Sequence, residues 1–215
     1  MKYRLMIFDL DGTLLDTLDD LTDSVNYVLL KHDYPKRTRE EVRSFVGDGI
    51  HKLMERSLPE GTPSFVIEEC YKEFLPYYKA HSADKTRPYD GICELLSRLH
   101  KNRVKLAVVS NKADYAVKEL CAAYFPGMFD EAVGERDGIQ RKPSPDSVHE
   151  VIRLLGVPKE ETVYIGDSDV DVQTAKNAGI DGVFVTWGFR SEDVLRAAGA
   201  TCIVHDSEEL IKEWG

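Results

Sequence analysis

Two acidic residues near the N-terminus have types and spacing that suit metal-assisted chemistry. Asp9 and Asp11 follow the apolar run Leu5–Phe8 and are separated by a single residue. Because two carboxylates this close together repel each other, a nearby cation is expected. Hard oxygen ligands favour Mg²⁺, which takes one or two carboxylates together with waters and phosphate oxygens. Gly12 allows the chain a tight exit from the apolar run.

Polar residues also follow two later apolar runs. Ser110 comes directly after Lys105–Val109, and Gly166-Asp167 follows Thr162–Ile165. Short runs of this kind are typical of strands that are buried on both faces of a parallel sheet. Helical patterns alternate with them, which predicts an α/β fold with a doubly wound, Rossmann-like parallel sheet. Since such sheets bind ligands at the carboxyl ends of their strands, these polar residues are expected to lie together. Glu131–Gly134 is a weaker run, and Gly182–Thr186 is the last clear one.

One long segment breaks the alternation of strands and helices. Residues 16–82 show only helical patterns, so they are predicted to form an all-helical domain inserted into the sheet domain. The sheet domain then comprises residues 1–15 and 83–215. Two chain crossings between domains make a natural hinge, which we expect near Asp16–Thr17 and Ala83–Lys85.

The motifs resemble those of the haloacid dehalogenase (HAD) superfamily. Asp9-Leu10-Asp11-Gly12-Thr13 is similar to its D-x-D-G-T signature, and the other three motifs follow in order. The resemblance covers essentially the whole chain, and it places the helical insertion at the position of the family's C1 cap. The matching segments of the other three motifs are Val108–Asn111, Arg141–Pro143 and Gly166–Asp171.

The resemblance implies hydrolysis of small phosphate monoesters through an aspartyl-phosphate. Asp9 would be the nucleophile, and Asp11 would be the general acid and then the general base. Ser110 and the backbone of Asn111 would hold the phosphoryl oxygens. Lys142 would neutralise charge on both the nucleophile and the phosphate.

The resemblance also implies a Mg²⁺ site and two supporting residues. The metal would be bound by Asp9, by Asp167 and by Asp11, the last through its backbone carbonyl. Thr13 would stabilise the loop of the first motif, and Asp171 would act through water or by orienting Lys142. Dehalogenases of the superfamily lack an acid at the position of Asp11, so its presence favours phosphate chemistry.

Softer signals point to the phosphoglycolate phosphatase group. Phe45–Gly49 resembles the V-G-x-G loop of that group's cap, and Thr186–Phe189 resembles its T-W-G-[FY] stretch. Gly47, Asp48 and Gly49 are therefore candidate determinants of substrate specificity. Lys112 is a weaker candidate for contact with a second anionic group of the substrate. The expected partner is a small phosphorylated metabolite, with phosphoglycolate first.

Three other functions remain open at this point. The same core could transfer a phosphoryl group within a sugar phosphate, as a mutase does, or hydrolyse pyrophosphate. The third alternative is a catalytically silent protein that binds a phosphorylated ligand or another protein, but none of the motif residues is missing.

Whole-chain properties narrow the setting. The 215 residues carry a formal net charge of −10, which argues against general nucleic-acid binding. No signal peptide or membrane span is expected, since no stretch approaches about 20 apolar residues. The four cysteines show no metal or disulfide spacing. We therefore expect a cytoplasmic protein, either a monomer or a homodimer.

Overall fold

The computed structural model describes residues 2–214, with side chains up to residue 212. The strands are β1 (Leu5–Phe8), β2 (Leu15–Asp16), β3 (Arg87–Pro88), β4 (Lys105–Ala113), β5 (Glu131–Glu135), β6 (Thr162–Gly166), β7 (Asp181–Val185) and β8 (Ile203–Val204). The apolar runs identified in the sequence correspond to five of these strands, β1, β4, β5, β6 and β7.

Ten α-helices are described within residues 2–214, and a 3-10 helix spans Lys159–Glu161. The α-helices are α1 (Leu18–Lys31), α2 (Arg39–Phe45), α3 (Ile50–Ser57), α4 (Ser64–His81), α5 (Ile92–Lys101), α6 (Asp114–Tyr124), α7 (Asp146–Leu155), α8 (Asp169–Ala178), α9 (Glu192–Ala198) and α10 (Ser207–Trp214).

The main sheet, as described within residues 2–214, has six parallel strands in the order β5-β4-β1-β6-β7-β8. β1 lies between β4 and β6, and Phe8 is in register with Val108 and Ile165. Residues that follow these three positions therefore emerge at the same edge of the sheet. This arrangement confirms the predicted α/β fold with a doubly wound parallel sheet.

Both faces of the sheet are buried, which explains the continuous apolar runs. Met6 and Phe8 point into a core formed with α5, α6 and α10, whereas Leu5 and Ile7 point into a core formed with α7, α8 and α9. Because successive side chains of a strand face opposite ways, a strand covered on both faces needs apolar residues at every position. β8 was not predicted, since two residues are too short for a pattern.

The chain forms two compact units. One comprises the chain up to Leu15 and from Pro88 onward, and the other is Asp16–Arg87. The second boundary lies five residues later than the 82/83 boundary expected from sequence. The reason is local: buried Asp20 on α1 accepts hydrogen bonds from the backbone amides of Lys85 and Thr86 and from the Thr86 hydroxyl.

The helical unit contains α1–α4. Its core includes the apolar stripe of α1, Leu18 to Leu29, which is buried, and Cys70, Phe74 and Tyr78 of α4. Thr38 begins α2 with a capping box: its hydroxyl accepts from the Glu41 amide, and the Glu41 carboxylate accepts from the Thr38 amide. Within residues 2–214, no helix has the length and apolar character needed to cross a membrane.

Candidate active site

Side chains from four separate segments converge at the carboxyl edge of the main sheet. Asp9 follows β1, Asp167 follows β6, Ser110 lies in the second half of β4, and Lys142 lies in the loop before α7. All four are buried. The parallel register of β4, β1 and β6 brings them together although they are far apart in sequence.

Asp9 is held by two contacts on one oxygen. Its Oδ1 accepts a hydrogen bond of 2.7 Å from the Leu10 amide and lies 2.9 Å from the Lys142 Nζ. Both of these contacts fall on Oδ1 rather than on Oδ2. Burial raises the pKa of the Asp9 carboxyl to about 7, an effect that nearby Lys142 opposes.

The Lys142 ammonium donates to three oxygens. These are Asp9 Oδ1 at 2.9 Å, Asp171 Oδ1 at 2.8 Å and the Tyr164 hydroxyl at 2.9 Å. Burial lowers the pKa of Lys142, but Asp171 and Asp9 outweigh it and hold that pKa well above its usual value. Lys142 therefore stays charged, and its three protons fix its position.

Asn111 positions the loop that carries this lysine. Its side-chain Oδ1 accepts from the Lys142 amide at 2.8 Å, and its Nδ2 donates to the Lys142 carbonyl at 3.1 Å. The sequence motif predicted only a backbone contact of Asn111 with phosphate. The observed role of its side chain depends on a contact across 31 residues, for which the sequence contains no signal.

Asp171 connects the start of α8 to Lys142. Its Oδ1 contacts Lys142 and the Tyr164 hydroxyl, the latter at 3.0 Å. Its Oδ2 accepts from the amide and hydroxyl of Ser168 and from the Asp167 amide. Asp171 is therefore in direct contact with Lys142, and its role in orienting that lysine stays a prediction. Tyr164 was missed, because a tyrosine inside an apolar strand reads as an ordinary core residue.

Asp167 is fixed by the first-motif loop and by the segment after β7. Its Oδ1 accepts from the Thr13 hydroxyl at 2.9 Å, and its Oδ2 accepts from the Phe189 amide at 2.7 Å. Two glycines make this packing achievable. A Cβ at either Gly12 or Gly188 would lie 2.4 Å from Asp167 Oδ2. Burial, together with the nearby charges of Asp171 and Asp9, raises the pKa of the Asp167 carboxyl to about 8.

The buried carboxylates fit a divalent cation. Oxygen atoms of Asp9, Asp167 and Asp171 all lie within 4.8 Å of one another. When all three carboxylates are ionised, the single positive charge of Lys142 leaves two negative charges in a buried place, and such charge is costly without a further cation. Oxygen donors of this type suit Mg²⁺. The Asp11 side chain lies outside this cluster.

Asp11 instead pairs with Lys112. The Lys112 Nζ lies 3.1 Å from each oxygen of the Asp11 carboxylate. Lys112 was considered as a contact for a second anionic group of the substrate, whereas its ammonium here lies against Asp11. The pairing joins residues 101 positions apart and could not be read from the sequence.

The end of β4 is irregular at the residues that enter the site. β4 pairs with β5 in register up to Val109 and again at Ala113, with a shift between them. The predicted strand ended at Val109, but the observed strand continues through Ser110, Asn111 and Lys112 in this irregular form. Such irregularities redirect side chains, and they are common next to active sites.

The candidate specificity loop belongs to the helical unit. Gly47 and Gly49 both have positive φ, 129° and 84°. Asp48 Oδ2 is 2.6 Å from Arg56 Nη2, and Arg56 also donates to the Phe45 carbonyl. The loop is therefore held within its own unit, and its role in choosing substrate stays a prediction.

A family profile described as haloacid dehalogenase-like hydrolase matches residues 6–185. The chain belongs to the haloacid dehalogenase-like hydrolase family. This confirms the resemblance inferred from the four motifs, and the matched range contains all four of them.

Relatives of this HAD protein include enzymes named phosphoglycolate phosphatase. One from Mesorhizobium japonicum is 34% identical over 95% of this chain and 92% of its own length. Another, from Pseudomonas putida, is 32% identical over 97% of this chain and 78% of its own length. A solved structure from Lactobacillus delbrueckii subsp. bulgaricus, provisionally assigned as a phosphoglycolate phosphatase, is 40% identical. It superposes with a TM-score of 0.93 and covers 98% of this chain and 97% of its own.

Proposed function

We propose that this protein is a Mg²⁺-dependent phosphatase of small phosphate monoesters, with phosphoglycolate as its leading substrate. The observation that carries the proposal is the arrangement around Asp9. A buried carboxylate with one oxygen tied to Lys142 lies beside further buried carboxylates, and a second acid follows two residues later. The names of the relatives from Mesorhizobium japonicum and Pseudomonas putida support the choice of substrate.

The first half of the reaction forms an aspartyl-phosphate. Asp9 Oδ2 attacks phosphorus as the bond to the leaving oxygen breaks, and Asp11 gives its proton to that oxygen. Lys142 keeps its charge throughout, so it offsets the negative charge that builds up on the attacking carboxylate and the phosphoryl group. Ser110 and the Asn111 backbone hold the phosphoryl oxygens.

The second half releases phosphate. A water molecule attacks the phosphorus, gives its proton to the Asp11 carboxylate and displaces Asp9, which restores both residues. Mg²⁺ would be held by Asp9, Asp167 and the Asp11 carbonyl, and it would supply a positive charge that reduces repulsion between the phosphate and the carboxylates. Asp171 and Thr13 support the site through Lys142 and Asp167, respectively.

We also propose that the helical unit is a cap whose movement admits substrate and excludes water during the reaction. The chain passes between the units at 15/16 and 87/88, within the short strands β2 and β3. Gly47, Asp48 and Gly49 remain the candidate specificity residues of the cap. Location in the cytoplasm and assembly as a monomer or homodimer also remain predictions.

The test is an assay of the purified protein with p-nitrophenyl phosphate, with Mg²⁺ and with excess EDTA. We expect release of p-nitrophenol that depends on Mg²⁺ and is lost in Asp9→Asn. Asp181→Asn is a matched control, since Asp181 begins β7 at the opposite edge of the sheet and is exposed. Turnover by Asp9→Asn at the wild-type rate would refute the assignment of the nucleophile.

A substrate panel then separates the alternatives. Phosphoglycolate should be hydrolysed with a higher kcat/KM than p-nitrophenyl phosphate. Conversion of a hexose 1-phosphate to the 6-phosphate would favour a mutase, and faster release from pyrophosphate than from any ester would favour a pyrophosphatase. A hydroxylamine-labile phosphoprotein formed by the wild type and absent from Asp9→Asn would support the aspartyl-phosphate.

A further inference from the structure

The structure gives each carboxylate of the first motif its own buried lysine. Lys142 contacts Asp9, and Lys112 contacts Asp11 through both carboxylate oxygens at 3.1 Å. The Lys112 side chain is 3% exposed and that of Asp11 is 16% exposed. An ammonium this deeply buried needs an acceptor of opposite charge, so the pair is a structural feature rather than a surface contact.

We propose that Lys112 is a positioning residue that holds the Asp11 carboxyl in place for proton transfer to and from the leaving oxygen. This inference rests on the proposed phosphatase function. Lys142 cannot take over this task, because its three protons are already directed to Asp9, Asp171 and Tyr164. Asp11 would then depend on Lys112 for its orientation.

The backbone that carries Lys112 is itself fixed. Its amide donates to the Ser110 hydroxyl at 3.3 Å, within the irregular part of β4. On the other side lies Gly134 of β5, where a Cβ would be 2.3 Å from the Lys112 carbonyl oxygen. Only a residue without a side chain allows β5 to approach so closely. The lysine thus extends from a constrained segment toward Asp11.

The pair is compatible with proton transfer in both directions. In the first half-reaction the proton on one Asp11 oxygen passes to the ester oxygen as its bond to phosphorus breaks, and the Asp9–phosphorus bond forms. In the second, water gives that proton back as its oxygen bonds to phosphorus and the Asp9–phosphorus bond breaks. One carboxyl oxygen is enough for the proton, so the other keeps its contact with Lys112.

Leaving groups of different basicity provide the test. The p-nitrophenolate ion departs without a proton, whereas the alkoxide of glycerol 2-phosphate needs one. A carboxyl that is misplaced by about 1 Å can cost up to about a hundredfold in rate. Hydrolysis of the aspartyl-phosphate is common to both esters, so the comparison uses kcat/KM, which reports the steps up to departure of the leaving group. We therefore expect Lys112→Met to lower kcat/KM for glycerol 2-phosphate at least about tenfold more than kcat/KM for p-nitrophenyl phosphate.

Three further variants make the result specific. Lys112→Arg keeps a cation beside Asp11, so it should recover part of the loss and guards against misfolding of Lys112→Met. Lys118→Met makes the same substitution at an exposed ion pair on α6 and should leave the ratio between the two esters unchanged. In an Asp11→Asn background, Lys112→Met should produce no further change in that ratio, because its effect acts through Asp11.

Several results would overturn the proposal. Lys112→Met could lower kcat/KM equally for both esters, or it could keep wild-type rates. It could also change only the KM of phosphoglycolate, which would indicate that Lys112 binds the carboxylate of the substrate. Failure of the proposed function is a separate result. In that case the wild type would hydrolyse neither ester, or Asp9→Asn would remain active, and both proposals would fall together.

Discussion

Replacing Tyr164 with phenylalanine removes one oxygen atom from the buried network around Lys142. That hydroxyl accepts from the Lys142 ammonium at 2.9 Å. It has one proton to donate, and its candidate acceptors are Asp171 Oδ1 at 3.0 Å and the Val109 carbonyl at 3.2 Å. Burial raises the pKa of Tyr164 well above its usual value, so the phenol remains neutral. The substitution keeps the ring and changes only these contacts.

The expected loss of stability follows from those contacts. A hydrogen bond to a charged group contributes about 1.5–3 kcal/mol, and a buried donor left without its acceptor incurs most of that cost. We therefore expect Tyr164→Phe to lower the free energy of unfolding by about 2–3 kcal/mol. For a chain of this size each kcal/mol lowers Tm by about 2–4 °C. The corresponding drop in Tm is about 4–12 °C.

The kinetic effect should be smaller than the effect on stability. Two carboxylates, Asp9 and Asp171, still hold the Lys142 ammonium after the hydroxyl is lost. A tenfold loss of rate corresponds to about 1.4 kcal/mol of transition-state stabilisation. We expect kcat for p-nitrophenyl phosphate to fall about threefold to tenfold, because Lys142 is less firmly oriented, while KM changes little.

Tyr3 offers a matched control for urea unfolding and steady-state assays. Its hydroxyl also contacts a lysine and an aspartate, Lys2 at 2.8 Å and Asp181 at 2.7 Å, but these partners are 64% and 55% exposed. Tyr3→Phe should therefore lower the free energy of unfolding by less than about 1 kcal/mol and leave kcat unchanged. The reasoning is refuted if the free energy of unfolding of Tyr164→Phe stays within about 0.5 kcal/mol of that of the wild type. It is also refuted if Tyr164→Phe and Tyr3→Phe lower the free energy of unfolding equally.

Two further predictions concern Asp167 and the residues packed on it. Gly188→Ala should abolish most activity and lower Tm in thermal unfolding, because the new Cβ would lie 2.3 Å from the Gly12 carbonyl oxygen and 2.4 Å from the Asp167 carboxylate; a fully active, stable variant would contradict the packing described. The second is a dependence on pH without metal. Burial raises the pKa of Asp9 to about 7 and that of Asp167 to about 8, above their ordinary value of 3.8, so the folded protein holds protons that the unfolded chain releases. In EDTA, Tm should therefore fall as pH rises from about 4 toward 8 and recover with Mg²⁺ at pH 8, with a flatter profile in Asp167→Asn. An Asp167→Asn profile as steep as that of the wild type would argue against this origin.

The residues that sequence reasoning located are those marked by local pattern. Asp9 and Asp167 stand directly after continuous apolar runs, and the parallel sheet brings the ends of these runs together. The fold class could be predicted for the same reason, since burial on both faces of the sheet requires apolar residues at consecutive positions.

The residues that were missed act through contacts with distant parts of the chain. Tyr164 reads as core, yet its hydroxyl contacts a lysine 22 positions away. Asn111 and Lys112 belong to a recognised motif, but their partners Lys142 and Asp11 are set by the irregular end of β4. The register shift of β4 and the close approach of Gly134 in β5 produce no periodic pattern of residues that could be recognised in the sequence. The same applies to the bonds from Asp20 that extend the helical unit to residue 87.

The two oxygens of Asp171 perform different tasks, and this restricts how the protein can diverge. One oxygen completes the capping box that begins α8, and the other contacts Lys142 next to Asp9. A glutamate would disturb both the helix start and the charge next to Asp9 because its side chain is longer, and an asparagine would keep the shape but lose the charge. We therefore expect a substitution of Asp171 to preserve the site only when residues 142, 164 and 168 are changed with it.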